Sequence, residues 1–511
     1  FVDRLDGMFA FALWDAPRRR LVLGRDRFGK KPLYHVGNPR RGFAFASEIK
    51  GLWGFTGVDR EVDVDALCDS VSLGYVPRDK SIYRKIRRLL PGHLLVAEDG
   101  TVRSWAYAAL SFAPRHRDPA DVEALRTVLA NAVAKRLRSD VPVGAFLSGG
   151  LDSSTVVHAM ASQVAGNVAT DVVGFSSDAF DERPFARAVA DQFATDHRAT
   201  VVDEDVDELV VDLAHAFDEP FADSSAMPTY CLARVARERY TVALSGDGGD
   251  EIFAGYQRYG FAAREDRARD VLSRRWAAPL AAALAARPVR AIATRLELPG
   301  REFLQRVSEP AWKSYLHAVS AVDDEEKNRL LAPDVQDALG GYRTDTLFDD
   351  LYAAAEGDTV TRLQAIDFAT YLPDDILTKV DRTSMAHGLE VRCPLLDRDL
   401  VALVASLPSY RRRSSWRGKI ILREAMRGML PPCALERHKQ GFSLPLAAWL
   451  RKRWAGLVVR HVLENRQLDL FVSRSEARRI WAQHQRGERD RSRALWTMVM
   501  LGVWARHASE D

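Results

Sequence analysis

Cysteine is scarce. The four present, Cys68, Cys231, Cys393 and Cys433, form no CxxC pair and have no histidine at ligand spacing, which excludes a disulfide framework and a zinc ribbon and predicts a reducing cytoplasmic compartment. Long apolar runs are missing as well. A stretch such as Trp276 to Ala286 is broken by Pro279 and falls well short of a membrane span, and no charged-then-apolar signal opens the chain. Charge of one sign is also lacking: a net charge of +3 over 511 residues predicts neither nucleic acid nor a membrane as a partner. There is no Walker A sequence, no GxGxxG, no internal repeat and no low-complexity tract. The first residue is Phe1 rather than Met, so a fragment or processed chain is expected.

What remains is an ordinary globular composition, 47% hydrophobic and 28% charged, long enough for two or three domains. From Phe1 to about Tyr107 the pattern predicts an antiparallel, strand-rich module. Residues 7–14 and 20–24 flank the turn Asp15-Ala16-Pro17-Arg18, residues 33–36 pair with 42–47, residues 93–97 pair with 101–105, and a helix covers 64–71. Residues 108–119 read as a linker. Beyond it helix and strand patterns alternate: helix 121–139, strand 141–146, strand 170–175, helix 184–193, strand 198–202, helices 206–217 and 226–238, strand 240–244. Such alternation predicts a parallel sheet covered by helices, with a ligand at the carboxyl ends of its strands. From Phe261 on the chain reads as mostly helical, with an Ala/Arg-rich stretch to about Arg301.

Two loops in the alternating part carry chemistry. Leu147-Ser148-Gly149-Gly150-Leu151-Asp152-Ser153-Ser154-Thr155 joins a buried strand to a helix. Glycines let the backbone approach a ligand, hydroxyls add donors, and helix-start N–H groups face negative charge, so phosphate is the natural guest and Asp152 suggests a bridging metal. The bland alternative is a helix cap. Ser245-Gly246-Asp247-Gly248-Gly249-Asp250-Glu251 ends another strand with crowded carboxylates, an arrangement that is costly unless a cation shares the site. Its bland alternative is an exposed acidic turn. Together the loops suggest Asp152 and Asp250 converging on the magnesium of a nucleotide. A basic segment, Arg411 to Lys419, precedes the apolar helix 420–426. Such runs are usually solvated surface, but a lysine opening a helix beside a nucleotide site is a candidate for holding pyrophosphate.

Ser148 to Ser154 resembles the pyrophosphate loop of the ATP-pyrophosphatase superfamily, and its company resembles the glutamine-dependent asparagine synthetases. Similar proteins carry Gly-Arg-Asp-x-x-Gly-x-x-Pro-Leu-Tyr, here Gly24 to Tyr34, Ala-Ser-Glu-x-Lys, here Ala46 to Lys50, and Leu-Pro-Gly-His, here Leu90 to His93. The acidic loop, Val380 to Met385, Glu390 to Asp397 and Lys419 to Glu424 also match. The resemblance spans nearly the whole chain. It implies an α/β fold: a parallel-sheet ATP-pyrophosphatase domain over residues 120–511 with a helical carboxyl-terminal part, preceded over residues 1–107 by a partial N-terminal-nucleophile amidotransferase domain.

The same resemblance implies ATP contacts at Leu147, Ser148, Gly149, Gly150, Asp152, Ser153, Val173, Ser245 and Gly246, and Mg2+ coordination by Asp152 and Asp250. Lys419 is implied to stabilise the phosphoryl group and departing pyrophosphate, and Asp247 to accept a proton from attacking ammonia. Many similar enzymes carry Glu where Asp247 stands, and the shorter side chain reaches less far. The implied reaction adenylates the side-chain carboxylate of aspartate, then lets ammonia, delivered from glutamine in a full-length protein, displace AMP. The family's glutaminase nucleophile is a chain-opening cysteine. None of the four cysteines is placed for it, so ammonia but not glutamine is the expected donor for the 511 residues. A homodimer is compatible with the family. An amidotransferase or cyclase acting on another carboxylate is the close rival. A tRNA-modifying ATP-pyrophosphatase would need paired cysteines or a basic RNA-binding module, neither of which is present, and a non-catalytic scaffold would not need Asp152, Asp250 and Lys419.

Overall fold

Turn chemistry shapes the amino-terminal part. Asp15 accepts hydrogen bonds from the Arg18 backbone at 3.3 Å and from its guanidinium at 3.1 Å, reversing the chain between β1 (Ala10–Asp15) and β2 (Arg20–Arg25), which pair antiparallel from Ala10↔Arg25 to Asp15↔Arg20. β3 (Tyr34–Asn38) and β4 (Gly42–Ala46) form a second hairpin. Helix α1 (Val64–Leu73) starts where Asp63 accepts from the N–H groups of Asp65 and Ala66, and it stops at Gly74 in the left-handed region. β5 (Arg87–Arg88) leads into the hairpin of β6 (His93–Glu98) and β7 (Thr101–Ala106). All three expected hairpins are present. Their assembly was not foreseeable: β2 pairs with β6 to give a sheet of order β1-β2-β6-β7, while β5 joins the second hairpin in the order β4-β3-β5.

The computed structural model describes residues 1–38, 40, 42–112, 121–175, 181–202, 205–272, 307, 309–437 and 444–510. Most of the expected 108–119 linker therefore lies outside the described residues, as does the Ala/Arg-rich stretch beyond Leu272. Phe112, at the linker's start, is buried against Phe368 with ring centroids 5.3 Å apart.

The alternating part supplies α2 (Asp121–Arg136), β8 (Val143–Phe146), α3 (Leu151–Ala161), β9 (Ala169–Gly174), α4 (Arg183–Gln192), β10 (Asp196–Val201), α5 (Val206–Phe217), α6 (Ala226–Arg237), β11 (Val242–Leu244) and the short α7 (Gly249–Ile252). A strand from much later in the chain, β12 (Glu390–Arg392), completes the sheet, whose order is β10-β9-β8-β11-β12 with every neighbouring pair parallel. Residues of β9 serve both faces in alternation: Val172 joins a core with Leu125, Val157 and Leu244, and Val173 joins one with Leu213, Phe217 and Met227. After α8 (Gln257–Leu272) the described chain is mainly helical. Among the described residues no helix is long and apolar enough to cross a membrane.

Adjacent strands β8 and β11 release their loops at the same end of the sheet. The expected pair of loops is therefore brought together by parallel pairing alone.

Candidate active site

The first loop is tied to its helix by its own side chains. Ser153 Oγ lies 3.0 Å from Ser148 Oγ and accepts from the Ser148 N–H at 3.3 Å, while Leu147 N–H donates to Asp171 O at 3.0 Å. Gly149 has φ +72°, and a Cβ there would stand 2.3 Å from the backbone carbon of Phe185, so the turn onto α4 admits only glycine. Gly150 caps α3 without a side chain, and Asp152 sits in the helix's first turn. The loop is therefore a helix amino terminus held open by small residues.

The acidic loop meets it from β11. Ser245 N–H donates to Arg392 O at 2.9 Å, locking the loop to β12. Asp250 and Glu251 are buried within α7. A Cβ on Gly249 would lie 2.6 Å from Asp152 Cγ, and one on Gly255 would lie 2.0 Å from Asp250 Oδ1 and 2.2 Å from Lys419 Cε. The glycines thus leave the space in which the charged groups converge.

The third component comes from the basic segment. Arg413 and Gly418 bridge as a small hairpin, and Lys419 follows it with φ +58°, a conformation that costs a non-glycine residue energy and recurs at functional sites. Its N–H donates to Phe253 O at 3.0 Å. Its Nζ donates to Asp152 Oδ2 and stands 2.7 Å from Asp250 Oδ1. Lys419 is 5% exposed. The basic run is only partly solvated: Arg412 and Arg413 are buried, whereas Trp416 at the hairpin tip is 80% exposed.

Around these groups the cavity has two chambers sharing Ser148, Asp152, Ser153 and Glu182. One, ≈ 440 Å³, is lined by the cations Arg413, Arg417, Lys419, Arg423 and Arg437. Arg437 donates to Ser148 O at 3.3 Å and pairs with Glu182 at 3.2 Å. The other, ≈ 330 Å³, is lined by Asp223, Asp247, Glu251, Lys379, Tyr256 and Tyr371. Burial, reinforced by Asp250, pushes the Glu251 carboxyl up to about 7, although Tyr256 donates to it at 2.6 Å. Burial also works to raise Asp223, but the ammonium of Lys379, 2.8 Å away, outweighs it and brings that carboxyl down to about 2. Asp375 is held well above the usual carboxylate range by burial and by Asp223.

Of the residues expected at the site, Leu147, Ser148, Asp152, Ser153, Ser245, Gly246, Asp247 and Asp250 line the second chamber, and Gly150 and Lys419 the first. Gly149 faces Phe185. Val173 packs into the core, and its neighbours Asp171 and Val172 are the β9 residues that line the cleft. The sequence reading missed Asp223, Ser225 and Tyr256. The run Asp223-Ser224-Ser225 before a helix was the available signal, identical in kind to an ordinary cap.

Two small-residue loops meeting at the carboxyl ends of adjacent parallel strands, one rich in serine and glycine and one acidic, define a domain of the ATP-pyrophosphatase class. Comparison with known proteins narrows the class. Residues 124–506 match the asparagine synthase family and residues 1–108 a glutamine amidotransferase domain. The chain is 35% identical to a putative glutamine-hydrolysing asparagine synthetase of Mycobacterium tuberculosis, over 98% of this chain and 77% of that protein. It is 30% identical to glutamine-hydrolysing asparagine synthetase 1 of Bacillus subtilis, over 98% and 78% respectively. An amidase of Penicillium rubens, chyE, is 27% identical over 89% of this chain and 71% of its own length. The chain belongs to the asparagine synthase family, and its enzyme class is that of a ligase forming carbon–nitrogen bonds.

Proposed function

We propose that the protein uses ATP to activate a carboxylate as an acyl-adenylate and then amidates it, with aspartate as the first candidate substrate and asparagine as the product. The observation that carries this reading is the convergence of Asp152, Asp250 and Lys419 from three separate segments at the wall between a cationic and a carboxylate-lined chamber. A carboxylate resists nucleophiles until its oxygen becomes a good leaving group. Attack of that oxygen on the α-phosphorus of ATP expels pyrophosphate and achieves this.

In this reading the α3 amino terminus, with Ser148, Gly149, Gly150 and Ser153, cradles the phosphates. Leu147, Ser245 and Gly246 border the nucleotide, with Val172 taking the place expected of Val173. Lys419 meets charge developing on the phosphoryl group, and the arginines of the first chamber receive pyrophosphate. Two oxygen-bearing side chains already share one cation at Asp152 and Asp250, a donor set that suits a hard ion, so these two would hold Mg2+. Mg2+ supplies charge neutralisation of the phosphates when bound. In the second step ammonia attacks the acyl carbon, AMP leaves, and Asp247 accepts the proton that ammonia releases. We read residues 1–107 as part of a nitrogen-supplying amidotransferase module and residues 120–511 as the amidating module.

The Penicillium relative, an amidase by name, favours a second reading, amidation of a different carboxylate by the same chemistry. Pyrophosphate release measured across a panel of carboxylic acids, with ammonia or glutamine as donor, separates the two. Stimulation by aspartate with asparagine as product supports the first. No stimulation by aspartate, with stimulation by another acid, supports the second.

A further inference from the structure

The acceptor-side chamber is walled by two segments that lie far apart in sequence, and both are gripped by the amino-terminal module. The first runs from Glu219 to Ser225 and carries Asp223, Ser224 and Ser225 into the chamber. The second is the π-helical turn Leu372–Ile376, flanked by Tyr371, with Tyr371 and Ile376 facing the chamber. Such turns are uncommon and recur at functional sites.

One guanidinium joins them. Arg88, in β5, places Nη2 2.6 Å from Glu219 Oε1 and Nη1 2.9 Å from Asp374 Oδ1. All three side chains are more than nine-tenths buried. Neighbours in the same stretch repeat the grip: Ile82 N–H donates to Glu219 Oε2 at 3.1 Å, Arg78 N–H to Asp374 Oδ2 at 2.6 Å, and Ala222 N–H to Gly74 O at 2.7 Å. A forked, planar cation can hold two carboxylates in fixed relative orientation, which a lysine cannot do.

We propose that Arg88 is a positioning residue for acceptor binding, setting the 219–225 segment and the 372–376 turn from the amino-terminal module so that Asp223, Lys379 and Tyr371 face the acceptor correctly. The inference rests on the amidating reading for the identity of the chamber. It makes the acceptor pocket a structure built across the seam between modules, whereas the phosphate side, formed by residues 148–153 and 413–419, makes no use of Arg88.

The test compares the wild type with Arg88→Lys, Arg88→Met and the double variant Arg88→Met/Glu219→Gln, the last relieving one buried carboxylate if the single variant fails to fold. Backbone hydrogen exchange should quicken at 219–225 and 372–376 and stay unchanged at 148–153. In pyrophosphate release, KM for whichever carboxylic acid stimulates the wild type should rise about tenfold or more, in line with the cost of an ångström-scale misplacement. KM for MgATP should hold, and lysine should restore little. Unchanged exchange at the two segments, or equal loss for acid and MgATP, overturns the proposal. If no acid stimulates the wild type, the amidating reading fails on its own, and the exchange result alone decides whether Arg88 clamps the chamber.

Discussion

Adding one methyl group at Gly255 probes the core of the proposed site with little threat to the fold. Gly255 is not in the left-handed region, so alanine meets no backbone penalty. Its Cβ would instead stand 2.0 Å from Asp250 Oδ1 and 2.2 Å from Lys419 Cε. Ordinary contact begins near 3.4 Å, so the carboxylate and the lysine must each retreat by more than about 1 Å, and both are ends of flexible side chains that can do so. A misplacement of that size at a catalytic group costs about 10²-fold in rate, equivalent to about 3 kcal/mol of transition-state stabilisation. Gly255→Ala should therefore lower kcat/KM for carboxylate-dependent pyrophosphate release about 100-fold while Tm stays within a few degrees of wild type. Steady-state kinetics and thermal unfolding on the same preparation check this. Activity within about threefold of wild type at unchanged Tm would refute the idea that the Lys419–Asp250 contact is used in the reaction.

Lys419→Met should reduce kcat about 10²- to 10³-fold, as loss of one preorganised electrostatic group does, and Lys419→Arg should restore little because the glycine-lined space fits an ammonium; single-turnover pyrophosphate release measures both. Asp250→Asn should raise the Mg2+ concentration needed for half-maximal activity with a smaller effect at saturating Mg2+, read from a magnesium titration. Glu251 has its carboxyl raised from 4.5 to about 7, so the folded state binds a proton that the unfolded state releases: its contribution is fully present below about 4.5 and is lost as pH rises through about 7. Glu251→Gln should accordingly gain Tm relative to wild type at pH 8 and not at pH 4, and a parallel pH dependence of the two proteins would count against it. Gly149→Ala forces a side chain into the left-handed region and into the Phe185 backbone, so thermal unfolding should show a loss of about 2 kcal/mol or more, unlike Gly255→Ala.

The sequence made the two loops legible because each marks a change of period, from a short apolar strand to a helix, with a run of small and acidic residues that continues neither pattern. The hairpin at Asp15 to Arg18 was legible through its turn chemistry. β12 was not: Glu390-Val391-Arg392 has two charges in three residues, and its strand identity comes from pairing with β11, nearly 150 residues earlier in the chain. Asp223 was hidden for a similar reason. Its partner Lys379 lies 156 residues away, and no local pattern announces such a pair. The burial of Arg412 and Arg413 went against the rule that charge runs are solvated, because backbone carbonyls of Ala254 and Tyr256 accept from Arg413 and a hydroxyl of Thr361 from Arg412. Tertiary partners decided all three cases, and those are set by topology.

The order of strands also dictates an order of assembly. β11 lies between β8 and β12, so until residues 390–392 leave the ribosome the sheet ends in a bare three-residue edge. Lys419 comes later still. Pairing across such sequence distances is slow, and a nascent chain halted before β12 would expose an unpaired strand open to association with other chains. The Asp152–Asp250–Lys419 triad therefore forms only after both the β8–β11 pairing and the 413–419 hairpin are in place, and a chain halted before Lys419 cannot bring its two acids and its lysine together.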